Sequence, residues 1–436
     1  MNLLRDSTAD RISNLPGDVI ERILMSLPVK NAARTSLLSR NWRHCWRSIP
    51  QLVFDRDFAP PAETEGGLYS TDANDKLMMH IQEALLGHDA PTITKFEISI
   101  PGCSWCPKVD LLMLHLSRKR VEELTLLFWG NLDHESPRLH SSLFSSAFPL
   151  KRLKLQYLVF RPPSGFVGFS KLTFLELQAV NLPSDFCENF IPRCPLLEEL
   201  RILHCSAREH VFVSPSLKVL LFRSPFLKIC FKHTPILSVV SVLDDQGKSS
   251  YVGTSLVKHN PRFVRLFASL PVVEHLKLGT ELLLFLADGH VPYQLPTALH
   301  NLKFLEVPGI LLHRLPQARD LVCLIKSAPN LKRLIVRLDD NEERAPSEVT
   351  ASLQTLLGED QHPGVCCLQH LEEFDIQGTR GTREELELVR FVVVNAPIFC
   401  RISIKHKEIL FADTVSKFSN EMLIYKHIVG VINCTH

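Results

Sequence analysis

The sequence predicts an α/β protein, in which a solenoid of about twelve irregular strand–helix repeats follows a small three-helix module. The first observation is a short apolar pattern, typical of strands with one buried face, that recurs through most of the 436 residues. The second is a cluster of apolar side chains at helical spacing within about the first fifty residues.

The composition is that of a globular protein and not of a disordered one, with 45% hydrophobic and 22% charged residues. Because 49 basic side chains face 47 acidic ones, net charge gives no reason to expect nucleic-acid or membrane binding. The first residues lack the apolar segment of a secretory signal, and no apolar run has the length of about 18 residues that a membrane helix needs. We therefore expect a cytoplasmic or nuclear protein whose 12 cysteines are mostly reduced and buried.

The N-terminal module begins with a predicted helix that Ser13 or Asn14 caps and that has Pro16 in its first turn. Pro28 ends this helix. Its apolar side chains recur on one face: Ile20, Ile23, Leu24 and Leu27.

Two more short helices are predicted, one over residues 29–37 and one after Ser39. Three short helices make a poor independent core, so we expect a partner protein to complete the apolar surface of the module. The third helix carries apolar side chains at helical spacing: Trp42, Cys45, Trp46 and Ile49.

The order and spacing of these residues, with the Leu15-Pro16 pair and Trp42 and Trp46, resemble the F-box of plant proteins, and we assign residues 10–56 to it. The resemblance implies docking onto the Skp-family adaptor of a cullin-based ubiquitin ligase. For Trp42 and Trp46, a role in the internal core fits as well as adaptor contact, and the whole segment could instead be a helical cap on the repeats. The positions carried over from the family are Leu15, Pro16, Ile20, Ile23, Leu24, Leu27, Pro28, Trp42 and Trp46.

The repeats follow the pattern apolar-x-x-apolar-x-apolar, at a mean spacing of about 28 residues, which is the upper end of the leucine-rich-repeat period. Prolines before many units end the preceding helix and turn the chain into the next strand. A single strand and helix cannot bury their apolar face, so the repeats must stack. The units begin at Ile93, Val121, Leu150, Leu172, Leu197, Leu217, Leu237, Val273, Leu302, Leu331, Leu371 and Phe399.

The remaining boundaries follow from these repeats. Residues 57–90 hold a linker and an N-terminal cap with an amphipathic helix at 76–86, and residues 91–364 hold the repeats. Polar insertions at 244–251 and 339–348 are read either as tolerated surface loops or as functional loops. Residues 365–410, with Leu371-Glu-Glu-Phe374 and Asn395-Ala-Pro397, are similar to the FBD module of plant proteins and close the array. A loosely held tail, 411–436, follows.

The sequence shows no catalytic or metal-binding constellation, and we expect no enzyme activity and no cofactor. Cys103 and Cys106 form a lone C-x-x-C without a second ligand pair, and Cys366-Cys367 is interpreted as structural. Nothing in the sequence identifies a small-molecule pocket.

We therefore predict a substrate-recognition subunit that docks the Skp-family adaptor, and through it a cullin, while the repeats bind a target protein. The alternative is an interaction scaffold that needs no adaptor. Candidate target-binding residues are the polar central positions of the strands: Glu97, Thr125, Lys154, Glu176, Arg201 and Lys277.

Overall fold

The computed structural model of the chain describes residues 12–60, 67, 69–130, 137–144, 149–207, 209–226, 228–243, 262–280, 282–283, 292–339, 368–397, 401–406 and 432–435. The chain divides into two compact units, Met1–His210 and Val211–His436. The insertion 244–251, nearly all of 339–348, the Cys366-Cys367 pair and residues 411–431 lie outside the described residues. No described helix is long and apolar enough to cross a membrane.

The first unit opens with helices α1 (Gly17–Met25) and α2 (Val29–Arg34), each preceded directly by a proline in extended conformation. Neither helix has a side-chain cap, so the predicted cap at Ser13 or Asn14 is wrong. A 3₁₀ turn, Thr35–Leu37, extends α2. The predicted third helix is only a 3₁₀ turn, Cys45–Ser48, because Pro50 follows closely and prevents a longer helix.

The sheet of the first unit is parallel, and each strand pairs with the next strand in the chain. One buried row runs across it, from Leu52 through Phe96, Leu124, Leu153 and Leu175 to Leu200. Its strands are β1 (Gln51–Phe54), β2 (Lys95–Ile98), β3 (Glu123–Leu127), β4 (Arg152–Gln156), β5 (Phe174–Gln178) and β6 (Glu199–Leu203).

Strand β1 is a finding that the sequence analysis missed. Its residues were assigned to the N-terminal module, yet Ile49, Leu52 and Phe54 follow the same apolar spacing as the predicted repeats and are all buried. The signal was present, but Ile49 also fitted a helical stripe with Trp42 and Trp46.

Helices connect several of these strands. The predicted cap helix is α3 (Thr71–Leu86); it begins earlier than expected, because the Ser70 hydroxyl accepts a hydrogen bond from the Ala73 N–H. Next along the chain lie α4 (Lys108–Leu116) and the short α5 (Phe186–Asn189). Helix α4 packs against α3 and buries side chains such as Val109, Leu112 and Met113.

The remaining strands are β7 (Glu209–Val213), β8 (Val219–Arg223), β9 (Lys228–Lys232), β10 (Val239–Leu243), β11 (His275–Leu278), β12 (Phe304–Ile310), β13 (Arg333–Leu338), β14 (Glu373–Thr379), β15 (Arg401–His406) and β16 (Ile432–Thr435). In the second unit, strands also pair in parallel, in the order β8, β10, β11, β12, β13, β14, β15 and β16. Strands β7 and β9 form a separate two-stranded sheet that was not predicted.

Every predicted repeat contains one of the strands that pair in parallel, so the α/β architecture with mainly parallel pairing is as expected. Residues 432–435, which we placed in a loosely held tail, instead form β16 beside β15. Three helices of this unit have both ends within the described residues: α6 (Arg262–Ala268), α7 (Leu315–Lys326) and α8 (Arg383–Asn395). A capping box of Thr382 and Glu385 starts α8.

The backbone of the first unit makes a close contact at Gly168, where φ is +106° and an added Cβ would lie 1.9 Å from the Arg193 carbonyl oxygen. Gly168→Ala is therefore expected to lower the free energy of unfolding by about 2–4 kcal/mol, measured by urea denaturation. Gly165→Ala is the matched control, because nothing lies within 4 Å of its added Cβ. Equal effects of the two substitutions would contradict this explanation.

Helix α7 carries a carboxylate, Asp320, that is fully buried and has no hydrogen-bond partner among the described residues. Burial, opposed by the nearby Arg319, raises its pKa from 3.8 to about 8. The unfolded chain ionises Asp320 near pH 4 and the folded chain does not, so this residue lowers stability progressively between pH 4 and pH 8.

Asp320→Asn removes that titration. Relative to the wild type, the free energy of unfolding of the variant is expected to increase by roughly 2–5 kcal/mol as the pH rises from 4 to 8. Above pH 8 this difference is expected to stay nearly constant. Urea denaturation at several pH values measures this difference. A difference that does not change with pH would show that Asp320 has an ordinary pKa.

Candidate interaction surfaces

The N-terminal module buries three of the predicted adaptor-binding residues within its own chain. Ile20, Leu24 and Trp42 are 5%, 0% and 2% exposed, and the Trp42 Nε1 donates a hydrogen bond to the Ile12 carbonyl at 3.0 Å. These side chains form the small core of the module. Pro16 is exposed, and the others are half-buried: Leu15, Ile23, Leu27, Pro28 and Trp46.

The same module leaves other large apolar side chains in contact with solvent. Leu37 is 88% exposed, Leu38 60%, Ile12 56% and Met25 38%. These four residues were not among the predicted adaptor-binding residues. The adjacent Leu37 and Leu38 between polar residues were a usable signal, since one narrow helix face rarely buries two neighbouring leucines. Apolar exposure of this extent in so small a module is typical of a surface that binds another protein.

The module is attached to the C-terminal end of α3 by hydrogen bonds within the first unit. The Asp89 N–H donates to the Arg47 carbonyl at 2.9 Å, and the buried His88 ring contacts the Ile49 carbonyl through Nε2 at 2.7 Å. A carbonyl only accepts, so Nε2 carries the proton. Burial lowers the pKa of His88, which keeps the ring neutral in this contact.

The solvent-facing side of the first sheet brings together five of the predicted target-binding residues. Glu97, Thr125, Lys154, Glu176 and Arg201 are register partners on successive strands and form one continuous row. The sixth residue, Lys277, lies in the second unit, where it is the register partner of Ser241 and Glu306.

Most charges in this row are already paired within the chain. The Glu176 carboxylate lies 3.9 Å from Lys154 Nζ and 3.5 Å from Arg201, which also binds Glu199 at 2.6 Å. Thr125 is 8% exposed and therefore contributes little surface. A partner that binds these charged residues must displace the existing ion pairs.

Glu97 is also paired within the chain, by Lys95 and Ser99. Burial raises its pKa, but hydrogen bonds from Lys95 and Ser99 outweigh that effect, so the pKa lies below the usual value and the carboxylate stays ionised.

In the second unit, a buried carboxylate pairs with cations on the neighbouring strands. Glu306 is 6% exposed and binds both Lys277 at 2.8 Å and Arg337 at 2.6 Å. Sequence reasoning selected Lys277 and missed Glu306, although Glu306 has the same position within its repeat as Glu97 and Glu176.

Within the described residues, no group of three His, Cys, Asp or Glu side chains is placed to hold a metal ion. Cys103 is a free, buried thiol whose pKa burial raises to about 12, so it is not a ready nucleophile or ligand. A solvent-open cavity of about 340 Å³ contacts Phe166, Phe186 and Phe190, with the exposed Arg161 and Arg193 beside it.

Comparison with known proteins identifies the family. Residues 12–53 match the F-box domain, residues 360–403 match the FBD, and residues 109–340 match the leucine-rich repeats of FBD-associated F-box protein At5g56370. The repeat match covers more than half of the chain. The chain therefore belongs to the plant family of F-box proteins with FBD and leucine-rich repeats, which confirms the resemblance seen in the sequence.

Similar proteins of Arabidopsis thaliana share this organisation. The F-box/FBD/LRR-repeat protein At1g13570 is 29% identical over 399 residues, which is 91% of each chain. The F-box/FBD/LRR-repeat protein At5g56420 is 27% identical over 89% of this chain and 90% of its own length. The putative F-box/FBD/LRR-repeat protein At5g56810 is 29% identical, covering 89% and 88%.

The buried carboxylate of Glu306 gives a test of the charged row. Glu306→Gln leaves Lys277 and Arg337 beside each other without a negative partner, and it is expected to lower the free energy of unfolding by about 2–4 kcal/mol. Glu372→Gln is the matched control, because its pair with Lys332 spans 3.0 Å but both side chains are at least half exposed. The control is expected to change stability by less than about 0.5 kcal/mol in the same urea denaturation. A similar loss in both variants would mean that burial does not decide the contribution of these pairs.

Proposed function

We propose that this chain is the substrate-recognition subunit of an SCF-type, cullin-based ubiquitin ligase of the cytoplasm or nucleus. In this proposal the F-box binds the Skp-family adaptor, the adaptor joins the chain to a cullin, and the repeats bind a target protein. The observation that carries it is an F-box whose surface exposes Leu37 and Leu38 by 88% and 60%. No catalytic residue is needed, because holding a target next to the ubiquitin-charged enzyme raises its effective concentration.

The adaptor contact is proposed to use the exposed residues Pro16, Leu37 and Leu38 together with the half-buried predicted residues. Ile20, Leu24 and Trp42 then act from inside, by fixing the positions of the helices that carry the contact. The half-buried residues in this contact are Leu15, Ile23, Leu27, Pro28 and Trp46.

We also propose that the repeats of each unit stack as in a leucine-rich-repeat solenoid, with the FBD closing the array. Register-matched parallel pairing from β1 to β6, and again from β8 to β16, supports this arrangement. Target binding is assigned to the solvent-facing side of the sheets, where the polar central residues of the strands form rows.

The alternative function is that of an interaction scaffold whose N-terminal module serves only as a cap. The hydrogen bonds from Asp89 and His88 to the module support this alternative, since they attach the module next to the end of α3. The two functions differ in whether the module binds an adaptor.

The deciding experiment is calorimetric titration of the full chain with a purified Skp-family adaptor. Leu15→Ala with Pro16→Ala, and separately Leu37→Ser with Leu38→Ser, are each expected to weaken binding about tenfold or more, because a few central apolar residues carry most interface energy. Leu196→Ser is the matched control, since Leu196 is 52% exposed but lies far along the chain from the module.

Thermal unfolding of the leucine-to-serine variants is expected to stay close to that of the wild type, as both side chains already contact water. If the wild-type chain does not bind the adaptor, or if both double variants bind as well as the wild type, the receptor function is refuted and the scaffold function is favoured.

A further inference from the structure

The solvent-facing side of the first sheet contains an aromatic ring surrounded by cations. Phe174, the first residue of β5, is only 2% exposed and is held rigidly by its packing. The Arg152 guanidinium carbon lies 3.9 Å from the centroid of the ring, while Arg201 and Lys154 lie at 5.3 Å and 5.5 Å. Arg152 therefore rests directly on the ring, and the other two cations lie beside it.

The carboxylates nearby are occupied by the other two cations. Glu199 binds Arg201, and Glu176 binds both Arg201 and Lys154. Glu123, the register partner of Arg152 on β3, forms no ion pair with it. Among the described residues, no carboxylate or carbonyl binds the Arg152 guanidinium. Arg152 is half-buried, so part of its side chain is accessible to a ligand.

The geometry of a stacked guanidinium leaves its hydrogen-bond donors available. Stacking uses the flat face of the group, whereas the N–H bonds point outward in its plane. Those donors match the two oxygens of a carboxylate or phosphate in a bidentate contact. Because the ring already holds the side chain in place, a ligand would not have to immobilise a free arginine, which lowers the entropy lost on binding.

Two positions at the other end of β4 and β5 suit a polypeptide ligand. Gln156 and Gln178 are register partners at the ends of β4 and β5, and both are half-buried. Their side-chain amides have no hydrogen-bond partner among the described residues, so they can donate to and accept from a peptide backbone.

We propose that Arg152, stacked on Phe174, is the anchor that binds an oxyanion on the target protein, either an Asp or Glu carboxylate or a phosphorylated side chain. This inference rests on the proposed function, since it names the chemistry that the repeat surface recognises. Arg152 is also not one of the target-binding residues predicted from the sequence, whose charges are largely neutralised within the chain.

The test uses the full chain and degenerate peptide libraries, each with one fixed central residue: Asp, Glu, phosphoserine, Asn, Gln or Ser. The wild type is expected to retain an acidic or phosphorylated library about tenfold better than its neutral counterpart, as a bidentate charged contact implies. The preferred library distinguishes a carboxylate from a phosphate. If the wild type shows no preference for either oxyanion over the neutral libraries, the anchor does not exist.

Four variants test the role of Arg152 itself. R152Q is expected to abolish the preference, and R152K to recover only part of it, because lysine lacks the planar fork that stacks and binds two oxygens. E123Q is expected to strengthen retention several-fold by removing a neighbouring negative charge. R118Q is the matched control, since Arg118 is an exposed arginine beyond the end of α4 and is expected to leave the preference unchanged.

A preference that persists in R152Q would overturn the proposal, and so would an equal loss in R118Q. Adaptor binding, measured on the same proteins, separates the two proposals. If the chain binds the adaptor but shows no oxyanion preference, only the proposed anchor is refuted. If the chain shows the preference but does not bind the adaptor, only the receptor function is refuted.

Discussion

Parallel pairing of successive strands in matched register is the constraint on which the rest of each unit depends. Each repeat is too short to bury its own apolar side chains, so residues such as Leu124 and Leu153 become buried only when the neighbouring strand brings the equivalent residue alongside. A shift by one residue would turn the apolar side chains toward solvent and the polar ones toward the core. The register therefore decides both where the core lies and which side chains a partner can reach.

The same register creates the charge pattern of the solvent-facing side. Polar residues at equivalent positions of adjacent strands lie close enough to interact, and repeats that carry opposite charges there neutralise one another, as Lys277 and Glu306 do. A surface that looks highly charged in the sequence is thus largely satisfied internally. The proposed target binding would therefore use the groups that this pairing leaves available, such as Arg152 in the first unit.

The N-terminal module shows the opposite balance. Its few short helices bury Ile20, Leu24 and Trp42, and this small core leaves no room for Leu37 and Leu38. Their exposure is unfavourable for the isolated chain, because large apolar surfaces are better removed from water. The proposed interface with an adaptor would remove these side chains from water, and the family membership of the chain gives the kind of partner to test first.

The recurrence of apolar residues predicted the repeats and their strands well, because burying one face of a strand leaves a period that is visible in a single sequence. The same information could not decide whether Ile49 continues a helix or precedes a strand, since that residue fits both periods. Only the pairing of β1 with β2 shows that a strand follows it. It also could not tell that Trp42 points inward while Leu38 faces solvent, since both are apolar residues in turns next to short helical segments.

Sequence by itself determined the family, the order of the modules and the apolar residues that form the core of the repeats, since these depend on spacing along the chain. Tertiary structure alone decided which polar side chains are paired, which leucines stay exposed and which arginine rests on a ring. Those outcomes depend on distances between residues of different strands, and no pattern along one strand contains them.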